Sequence, residues 1–443
     1  MKENYSNLTE KETGILVGVQ VGSPTGQSLS LEDSLAELEL LAETAGVEVV
    51  GTLTQQLATI NPRTFIGSGK VEELKLLANE LGVQMVIFDD ELSPRHQREL
   101  ERVLGESIKV IDRTALILDI FALHARTYEG MLQVELAQLE YRLPRLTHAW
   151  IHLERQAGGG GGRAGGVGGV GLRGPGEKQL ELDRREIKAR ISRIKDELKK
   201  VQEQRSQHRA HRRKTNIPVV ALVGYTNAGK STLMNSLTHA GILVADQLFA
   251  TLDPTTRQLG LPNGQTILLT DTVGFIQKLP TQLIAAFRAT LEEITEADLL
   301  VHLVDAAHEN AIEQKRTVLK TLHDIGAGDL PILTVFNKID LLDESAREER
   351  RQIADPQTIF ISAKTGEGFD GLLAAIEKEL VSQYTQIRVL LPFEQGQLRS
   401  LFHERGKVQH TESTADGIRM SGYLPKELVS FFEPYQVKPE KNK

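Results

Sequence analysis

The stretch that decides the fold is Val219-Val-Ala-Leu-Val-Gly224-Tyr-Thr-Asn-Ala-Gly229-Lys230-Ser231. An apolar run typical of a buried strand leads directly into G-x-x-x-x-G-K-[ST], and a helical run begins at Thr232. In this context the glycines let backbone N–H groups close around a β-phosphate, Lys230 reaches the β- and γ-oxygens, and the Ser231 hydroxyl binds Mg²⁺. The stretch therefore predicts a P-loop for a nucleoside triphosphate.

A second phosphate motif, Asp271-Thr-Val-Gly274, follows a predicted strand at residues 266–270. From the end of a strand the Asp271 carboxylate can hold the Mg²⁺ shell through a water, while the Gly274 amide faces the γ-phosphate. The pattern D-x-x-G is a weak signal by itself. Its place after a P-loop, in the order expected of a guanine-nucleotide fold, makes it informative.

A third motif, Asn337-Lys338-Ile339-Asp340, follows an apolar strand predicted at residues 332–337 and indicates the base. The Asp340 carboxylate can accept hydrogen bonds from guanine N1–H and N2–H₂, a pair of donors that adenine lacks. The sequence therefore predicts a GTP hydrolase whose choice of base rests mainly on Asp340.

The segment Ser362-Ala363-Lys364 completes the predicted base pocket. The Ala363 amide is placed for guanine O6, and the aliphatic stems of Lys338 and Lys364 can lie over the two ring faces.

Between the P-loop and the second motif lies Phe249-Ala-Thr-Leu-Asp-Pro-Thr-Thr256. A switch loop must supply a threonine to Mg²⁺ and the γ-phosphate from this part of the chain. Spacing alone does not choose among Thr251, Thr255 and Thr256, and any one of them can equally be an ordinary turn threonine.

The residue after Gly274 is Phe275, where many GTPases carry a glutamine that orients the attacking water. A phenyl ring cannot accept or donate that hydrogen bond. We therefore expect slow intrinsic hydrolysis and a partner that positions the water and offsets the transition-state charge.

The P-loop residue Asn227 has two interpretations. Its side-chain oxygen could coordinate a K⁺ ion that acts where other GTPases use an arginine finger, or it could satisfy the backbone of the loop. The sequence leaves both open.

Outside these motifs, predicted strands alternate with predicted helices on both sides of a long helical segment. Four regions are predicted: an N-terminal α/β domain at 1–115, a helical hairpin at 116–214, a mostly parallel P-loop GTPase domain at 215–384, and a small α+β domain with its tail at 385–443. The N-terminal strands are predicted at 15–21, 47–54, 85–88 and 108–111, and its helices at 31–44, 71–81 and 95–104. The C-terminal region is predicted to hold a strand at 387–391, a helix at 394–405 and one or two later strands.

The hairpin is predicted from two apolar seams at helical spacing, one from Leu132 to Trp150 and one from Leu180 to Val201. Pro144 should kink or end the first helix. Residues 158–176 hold 12 glycines in 19 positions, so they form a flexible tip rather than a core.

Charge is concentrated on the second helix of the hairpin. Residues 177–214 contain 14 Lys or Arg against 7 Asp or Glu, a net of +7, although the whole chain carries −8. The alternatives are a solvated helix face and a surface for a phosphate backbone. A long basic helix beside a bendable tip favours the second.

Composition bounds the remaining possibilities. With 443 residues and no cysteine, the chain is long enough for several cores and has no disulfide or thiolate site. No long apolar run is present, and the chain opens with Lys2, Glu3 and Asn4 rather than with a signal-peptide pattern. We expect a cytoplasmic monomer without a membrane span.

The chain resembles the HflX family of GTPases. The resemblance is carried by Leu248-Phe-Ala-Thr-Leu-Asp-Pro-Thr-Thr-Arg257, Asp271-Thr-Val-Gly-Phe275, Gly174-Pro-Gly-Glu-Lys-Gln-Leu-Glu-Leu182 and Thr64-Phe-Ile-Gly-Ser-Gly-Lys-Val-Glu72. It implies GTP hydrolysis stimulated by ribosomes, binding to the large ribosomal subunit, and dissociation of stalled ribosomes. It also assigns the Mg²⁺ threonine to Thr251. We further expect the helical hairpin, called the arm below, and the N-terminal domain to contact rRNA.

The residues predicted to bind the nucleotide are Gly224, Tyr225, Thr226, Asn227, Ala228, Gly229, Lys230, Ser231, Phe249, Ala250, Thr251, Leu252, Asp253, Asp271, Thr272, Val273, Gly274, Asn337, Lys338, Ile339, Asp340, Ser362, Ala363 and Lys364. Lys230, Thr251, Gly274 and Asn227 are predicted to act in catalysis, and Ser231, Thr251 and Asp271 to hold Mg²⁺. Two other functions share these motifs: a ribosome-assembly GTPase, and a regulatory GTPase whose hairpin binds a protein.

Overall fold

The computed structural model of the protein describes residues 12–22, 30–105, 107–146, 175–214, 217–238, 249, 254–278, 293–382 and 384–437. Within these ranges the strands form three sheets, which follow one another along the chain. None of the helices described there is long and apolar enough to cross a membrane.

The first sheet is parallel, with strand order β2-β1-β3-β4. Its strands are β1 (Glu12–Val21), β2 (Val47–Leu57), β3 (Met85–Phe88) and β4 (Lys109–Asp112), and its helices are α1 (Leu31–Thr44), α2 (Ser68–Leu81) and α3 (Pro94–Leu104). Helices cover both faces, so β3 is buried along its whole length. Every predicted element of this region is confirmed, with ends shifted by no more than three residues.

The helices that follow this sheet are α4 (Arg113–His124), α5 (Tyr128–Arg142) and α6 (Pro175–Lys214). Helix α4 was not predicted. Helix α5 ends two residues before Pro144 and passes into a short 3₁₀ turn, so the early end expected at the proline is confirmed. The two predicted seams do meet, because Leu132 and Leu136 of α5 form a buried cluster with Ile194 of α6. Most of the predicted glycine-rich tip, residues 158–174, lies outside the described ranges.

The base of the helical segment is tied to the first sheet. The Arg145 guanidinium lies 3.5 Å from the centre of the Tyr141 ring, and the Tyr141 hydroxyl donates to Asp112 Oδ1 at 2.9 Å. Arg145 also donates to Leu92 O at 2.6 Å. These contacts fix the start of the arm relative to the carboxyl end of β4.

The second sheet has the order β10-β9-β8-β5-β7-β6 and is parallel except for β6. Its strands are β5 (Val219–Gly224), β6 (Thr255–Gly260), β7 (Thr266–Asp271), β8 (Leu299–Asp305), β9 (Ile332–Asn337) and β10 (Ile359–Phe360), and its helices are α7 (Lys230–Thr238), α8 (Ala311–Asp324), α9 (Glu344–Ile353) and α10 (Phe369–Ser382). The edge strand β6 was not predicted. Its sequence buries only one apolar side chain, Leu259, and so lacks the alternation that marks a strand.

The third sheet is antiparallel, with order β11-β13-β12. It contains β11 (Tyr384–Leu391), β12 (Lys407–Thr414) and β13 (Gly417–Pro425), with α11 (Gly396–Arg405) and α12 (Lys426–Phe432) packed against it. The rings of Phe402 and Phe432, on the two helices, meet edge to face with centres 5.5 Å apart. The predicted strand and helix of this region are confirmed, and of the one or two later strands predicted the structure has two.

Candidate nucleotide-binding site

The predicted motifs converge at the carboxyl edge of the second sheet. The P-loop follows β5, Asp271 ends β7, the base motif follows β9, and Ser362 follows β10. Because β5, β7, β9 and β10 are parallel, their carboxyl ends meet at one edge, where open α/β sheets bind ligands.

The Lys230 ammonium lies inside the P-loop. Its Nζ donates to the carbonyl oxygens of Gly224 at 3.0 Å and Tyr225 at 2.8 Å. Burial lowers the pKa of Lys230 to about 8, although the Asp271 carboxylate opposes the shift. The side chain therefore stays mainly protonated at neutral pH, at the first residue of α7, where a phosphate would meet both its charge and the helix N-terminus.

The Asn337 side chain joins three motifs. Its Nδ2 donates to Ala228 O at 2.8 Å, and its Oδ1 accepts from the Ala363 N–H at 2.8 Å. Asn337 is buried, and a Cβ on Gly229 would lie 2.2 Å from its Nδ2. Gly229, at φ +93°, is therefore required both by backbone conformation and by space.

The carboxylate of Asp340, which is predicted to read the base, is oriented by Ser362. The Ser362 hydroxyl donates to Asp340 Oδ1 at 2.7 Å and accepts from the Thr365 N–H at 3.1 Å. This bond fixes the plane of a carboxylate that would accept two hydrogen bonds from guanine. Sequence reasoning placed Ser362 in the pocket but did not give it this orienting contact.

The two lysines expected to flank the base differ in their surroundings. Lys338 has a left-handed backbone, φ +66°, and its Nζ lies 2.7 Å from Asp305 Oδ2 at the end of β8. Lys364 is exposed. Asp305 therefore holds one of the two side chains in place, a role that the sequence alone did not show.

Two of the residues predicted to hold Mg²⁺, Ser231 and Asp271, lie within the described ranges. The Ser231 hydroxyl donates to Asp271 Oδ2 at 2.7 Å, and Asp271 is buried. A hydroxyl and a carboxylate oxygen brought together beside a phosphate site suit Mg²⁺, which prefers oxygen ligands and keeps part of its water. The residues present therefore fit the ion that this class of GTPase generally uses.

Of the three candidate Mg²⁺ threonines, two have defined positions. Thr255 and Thr256 lie in β6, and the Thr256 hydroxyl is 3.0 Å from that of Thr270 on β7. Thr251 lies outside the described ranges, as do Ala250, Leu252 and Asp253, so its role stays a prediction.

The segment after Asp271 is bound to the P-loop backbone. The Phe275 N–H donates to Gly224 O at 3.0 Å, and the Thr226 N–H donates to Phe275 O at 2.7 Å. Gly274 lies so close to the loop that a Cβ would be 2.9 Å from Thr226 Cα and 3.1 Å from Lys230 Nζ. Two groups predicted to contact the γ-phosphate are thus neighbours.

The rest of the segment is equally constrained. The Thr272 hydroxyl donates to Leu222 O at 2.6 Å, and Val273 and the ring of Phe275 are buried. The Phe275 ring therefore belongs to the core, and it has no polar group with which to orient a water. Asn227 has φ +58° and is exposed. Both features are compatible with a K⁺ ligand and with an asparagine that supports the loop backbone, so both interpretations stay open.

Sequence reasoning missed a set of contacts from the first sheet to this site. The Tyr225 hydroxyl donates to Glu37 on α1, and Lys278 forms ion pairs with Asp89 and Asp90 after β3. The ring of Phe249 packs edge to face on Phe121 of α4, with centres 4.5 Å apart. One signal was present, since Asp89 directly follows a buried parallel strand, at the edge where such sheets bind ligands.

Four family models match the chain in order. They are described as GTP-binding GTPase N-terminal (residues 32–122), GTP-binding GTPase Middle Region (124–212), 50S ribosome-binding GTPase (219–338) and HflX C-terminal domain (348–424). Together they match parts of all three sheets and of the helical segment.

Curated relatives agree with these matches. GTPase HflX of Caldanaerobacter subterraneus subsp. tengcongensis is 47% identical over 419 residues, which are 95% of this chain and 92% of the relative. GTPase HflX of Escherichia coli is 45% identical over 88% of this chain and 89% of the relative. A structure described as SsGBP and GDP complex is 26% identical, with TM-score 0.45, over 84% of this chain and 99% of that chain. The chain is a GTP hydrolase and belongs to the HflX family of GTPases.

Proposed function

We propose that this GTPase binds the large ribosomal subunit in its GTP form and dissociates stalled or idle ribosomes, with hydrolysis stimulated by the ribosome. The observation that carries the proposal is the basic helix α6. It runs for 40 residues, about 60 Å at the usual rise of a helix, and it packs on α5, whose base is tied to the first sheet.

Four basic side chains on α6 are exposed to a partner. Lys188, Arg193, Lys199 and Lys200 are exposed along the helix. Clustered exposed lysine and arginine side chains are what a phosphate backbone requires, and the family model over 219–338 is described as a 50S ribosome-binding GTPase. These two observations support rRNA as the contact of the arm. The proposal also places the protein in the cytoplasm as a monomer.

In this proposal the chain's own residues divide the work. Lys230 and the Gly274 amide would contact the γ-phosphate, and Asp340 would select guanine. Ser231 and Thr251 would hold Mg²⁺, together with Asp271 through a water. The bound Mg²⁺ would neutralise phosphate charge. Phe275 is buried and cannot orient water, so the rate enhancement is left to the ribosome, and the nucleotide state selects the affinity for that partner.

Sedimentation with purified large subunits tests the proposal. Binding should be stronger with a non-hydrolysable GTP analogue than with GDP and should weaken steeply as salt rises. A variant with Lys188, Arg193, Lys199 and Lys200 changed to Gln should lose most of this binding and keep its affinity for GDP. Binding to no ribosomal particle would favour a regulatory GTPase with a protein partner, and binding only to immature subunits would favour an assembly factor.

A further inference from the structure

The carboxyl edge of the first sheet is filled by a side chain from the GTPase domain. The strand order β2-β1-β3-β4 changes direction between β1 and β3, the position at which parallel sheets bind ligands. Asp89, the first residue after β3, lies there and donates its N–H to Val17 O of β1 at 2.9 Å. Lys278 of the segment that begins at Asp271 reaches this position.

Lys278 completes a network of charges that is mostly buried. Its Nζ lies 2.5 Å from Asp89 Oδ2 and 2.5 Å from Asp90 Oδ1. Arg113, at the start of α4, donates to Asp89 Oδ1 at 2.6 Å and to Glu37 Oε2 at 2.7 Å. Burial alone would raise the pKa of Asp89, but the positive charges of Arg113 and Lys278 outweigh this effect. The pKa of Asp89 is therefore below its usual value, and the carboxylate stays ionised. Removing one member would leave charge without its counter-charge.

The backbone beside Lys278 is held by the same elements. The Gln277 N–H donates to the Tyr225 hydroxyl at 2.8 Å, and that hydroxyl donates to Glu37 at 2.5 Å. Phe275 and Ile276 belong to a buried cluster that also contains Phe121 of α4. The segment that carries Gly274 is therefore fixed at its far end by α1, β3 and α4 of the N-terminal region.

We infer that Lys278 is a positioning residue for GTP hydrolysis: held by Asp89 and Asp90, it keeps the Gly274 amide beside the Lys230 ammonium, where the γ-phosphate binds. Without these ion pairs the segment must be ordered at the moment when GTP binds, and this lowers the affinity for GTP. GDP has no γ-phosphate and does not use Gly274. The effect should thus appear as a change in selectivity between the two nucleotides. The inference depends on the GTPase activity and not on the ribosome.

The test compares nucleotide binding and hydrolysis by the full-length chain without ribosomes. Lys278→Met removes the charge and keeps the length of the stem, Lys278→Arg keeps the charge, and Asp90→Asn weakens the network at its exposed end. Lys315→Met is the matched control, because it breaks a Lys–Asp pair of 2.7 Å with Asp355 elsewhere in the GTPase domain.

Lys278→Met should weaken binding of a non-hydrolysable GTP analogue by about 5- to 50-fold, lower kcat/KM in parallel, and change GDP affinity by less than about twofold. Lys278→Arg and Lys315→Met should behave as the unmodified protein. The double variant Lys278→Met/Asp90→Asn should bind the GTP analogue no more weakly than Lys278→Met alone, because the two changes remove the same interaction. Equal losses for GTP and GDP, no loss at all, or faster hydrolysis in Lys278→Met would each overturn the inference.

Discussion

The Tyr225 hydroxyl donates a hydrogen bond to the Glu37 carboxylate at 2.5 Å, so the phosphate-binding loop itself contacts helix α1 of the N-terminal region. The same oxygen accepts the Gln277 N–H at 2.8 Å. Burial, together with the Glu37 carboxylate, raises the pKa of Tyr225, so the hydroxyl stays a donor. One atom thereby joins the P-loop, the segment after Gly274 and the first sheet.

Tyr225→Phe should therefore destabilise the protein without weakening the binding of GDP. The ring keeps its packing, but the partly buried Gln277 N–H loses its acceptor, at a cost of about 1 kcal/mol. Thermal unfolding should show a lower first transition, with GDP affinity unchanged. Tyr128→Phe is a matched control, because it removes a tyrosine–glutamate bond of the same 2.5 Å length from an exposed site, and it should leave the transition where it is.

Asp340→Asn should exchange the base that is bound. Guanine offers N1–H and N2–H₂ to the carboxylate, whereas an asparagine amide offers one acceptor and one donor, which suits xanthine with its carbonyl oxygen in place of N2–H₂. We expect GTP affinity to fall by about 100-fold or more, and xanthosine triphosphate to bind better than GTP. Competition between the two nucleotides measures this directly, and an unchanged preference for GTP would show that Asp340 does not read the base.

Asn227→Gly separates the two interpretations of this loop residue. Glycine tolerates the φ of +58°, so the backbone keeps its shape while the side-chain oxygen is removed. If that oxygen coordinates K⁺, replacing K⁺ by Na⁺ at constant ionic strength slows hydrolysis by the unmodified protein by roughly threefold or more, whereas the variant is slow in both salts. Equal rates in the two salts for the unmodified protein would leave Asn227 as a loop residue only.

His302→Leu should raise stability. His302 is fully buried on β8, and neither ring nitrogen has a hydrogen-bond partner among the described residues. Burial lowers the pKa of His302 to about 3, so the folded state binds fewer protons than the unfolded state between about pH 3 and 6.5. The part of the free energy of unfolding that depends on His302 is therefore fully present above about pH 6.5 and is lost as the pH falls through this window.

The leucine variant should be about 1–2 kcal/mol more stable at pH 7 and should lose less stability on acidification. Urea unfolding at pH 7 and pH 5 gives both values. His323→Gln, at a site where the side chain is 85% exposed, serves as the control and should leave the pH dependence as it was. A leucine variant with the same pH dependence as the unmodified protein would contradict this account of His302.

The nucleotide motifs were predictable because each is set by a short piece of chain. An apolar strand followed by glycines, Lys230 and Ser231 specifies its own loop, and Asp340 follows its strand in the same local manner. In contrast, the bonds from Tyr225 to Glu37 and from Lys278 to Asp89 join residues 188 and 189 positions apart. No local sequence pattern predicts which of the many carboxylates in the chain forms an ion pair with a lysine such as Lys278.

Strand β6 and helix α4 were not predicted, for a related reason. Strand β6 is polar because its solvent-facing edge needs little apolar burial, so its residues look like a loop around Thr255 and Thr256. Helix α4 directly follows β4, with Asp112 accepting the Ala115 N–H at 2.9 Å as the cap, and it was hidden by the apolar run on both sides of the boundary.

The central claim, that the ribosome activates this GTPase through phosphate contacts, is tested most directly by steady-state GTP hydrolysis with and without purified large ribosomal subunits. The measurement should be made at low and high ionic strength, with K⁺ held constant and an organic cation supplying the added salt. The account predicts slow hydrolysis alone and a marked stimulation by subunits that fades as salt rises. The same slow rate with and without subunits at low salt would contradict it.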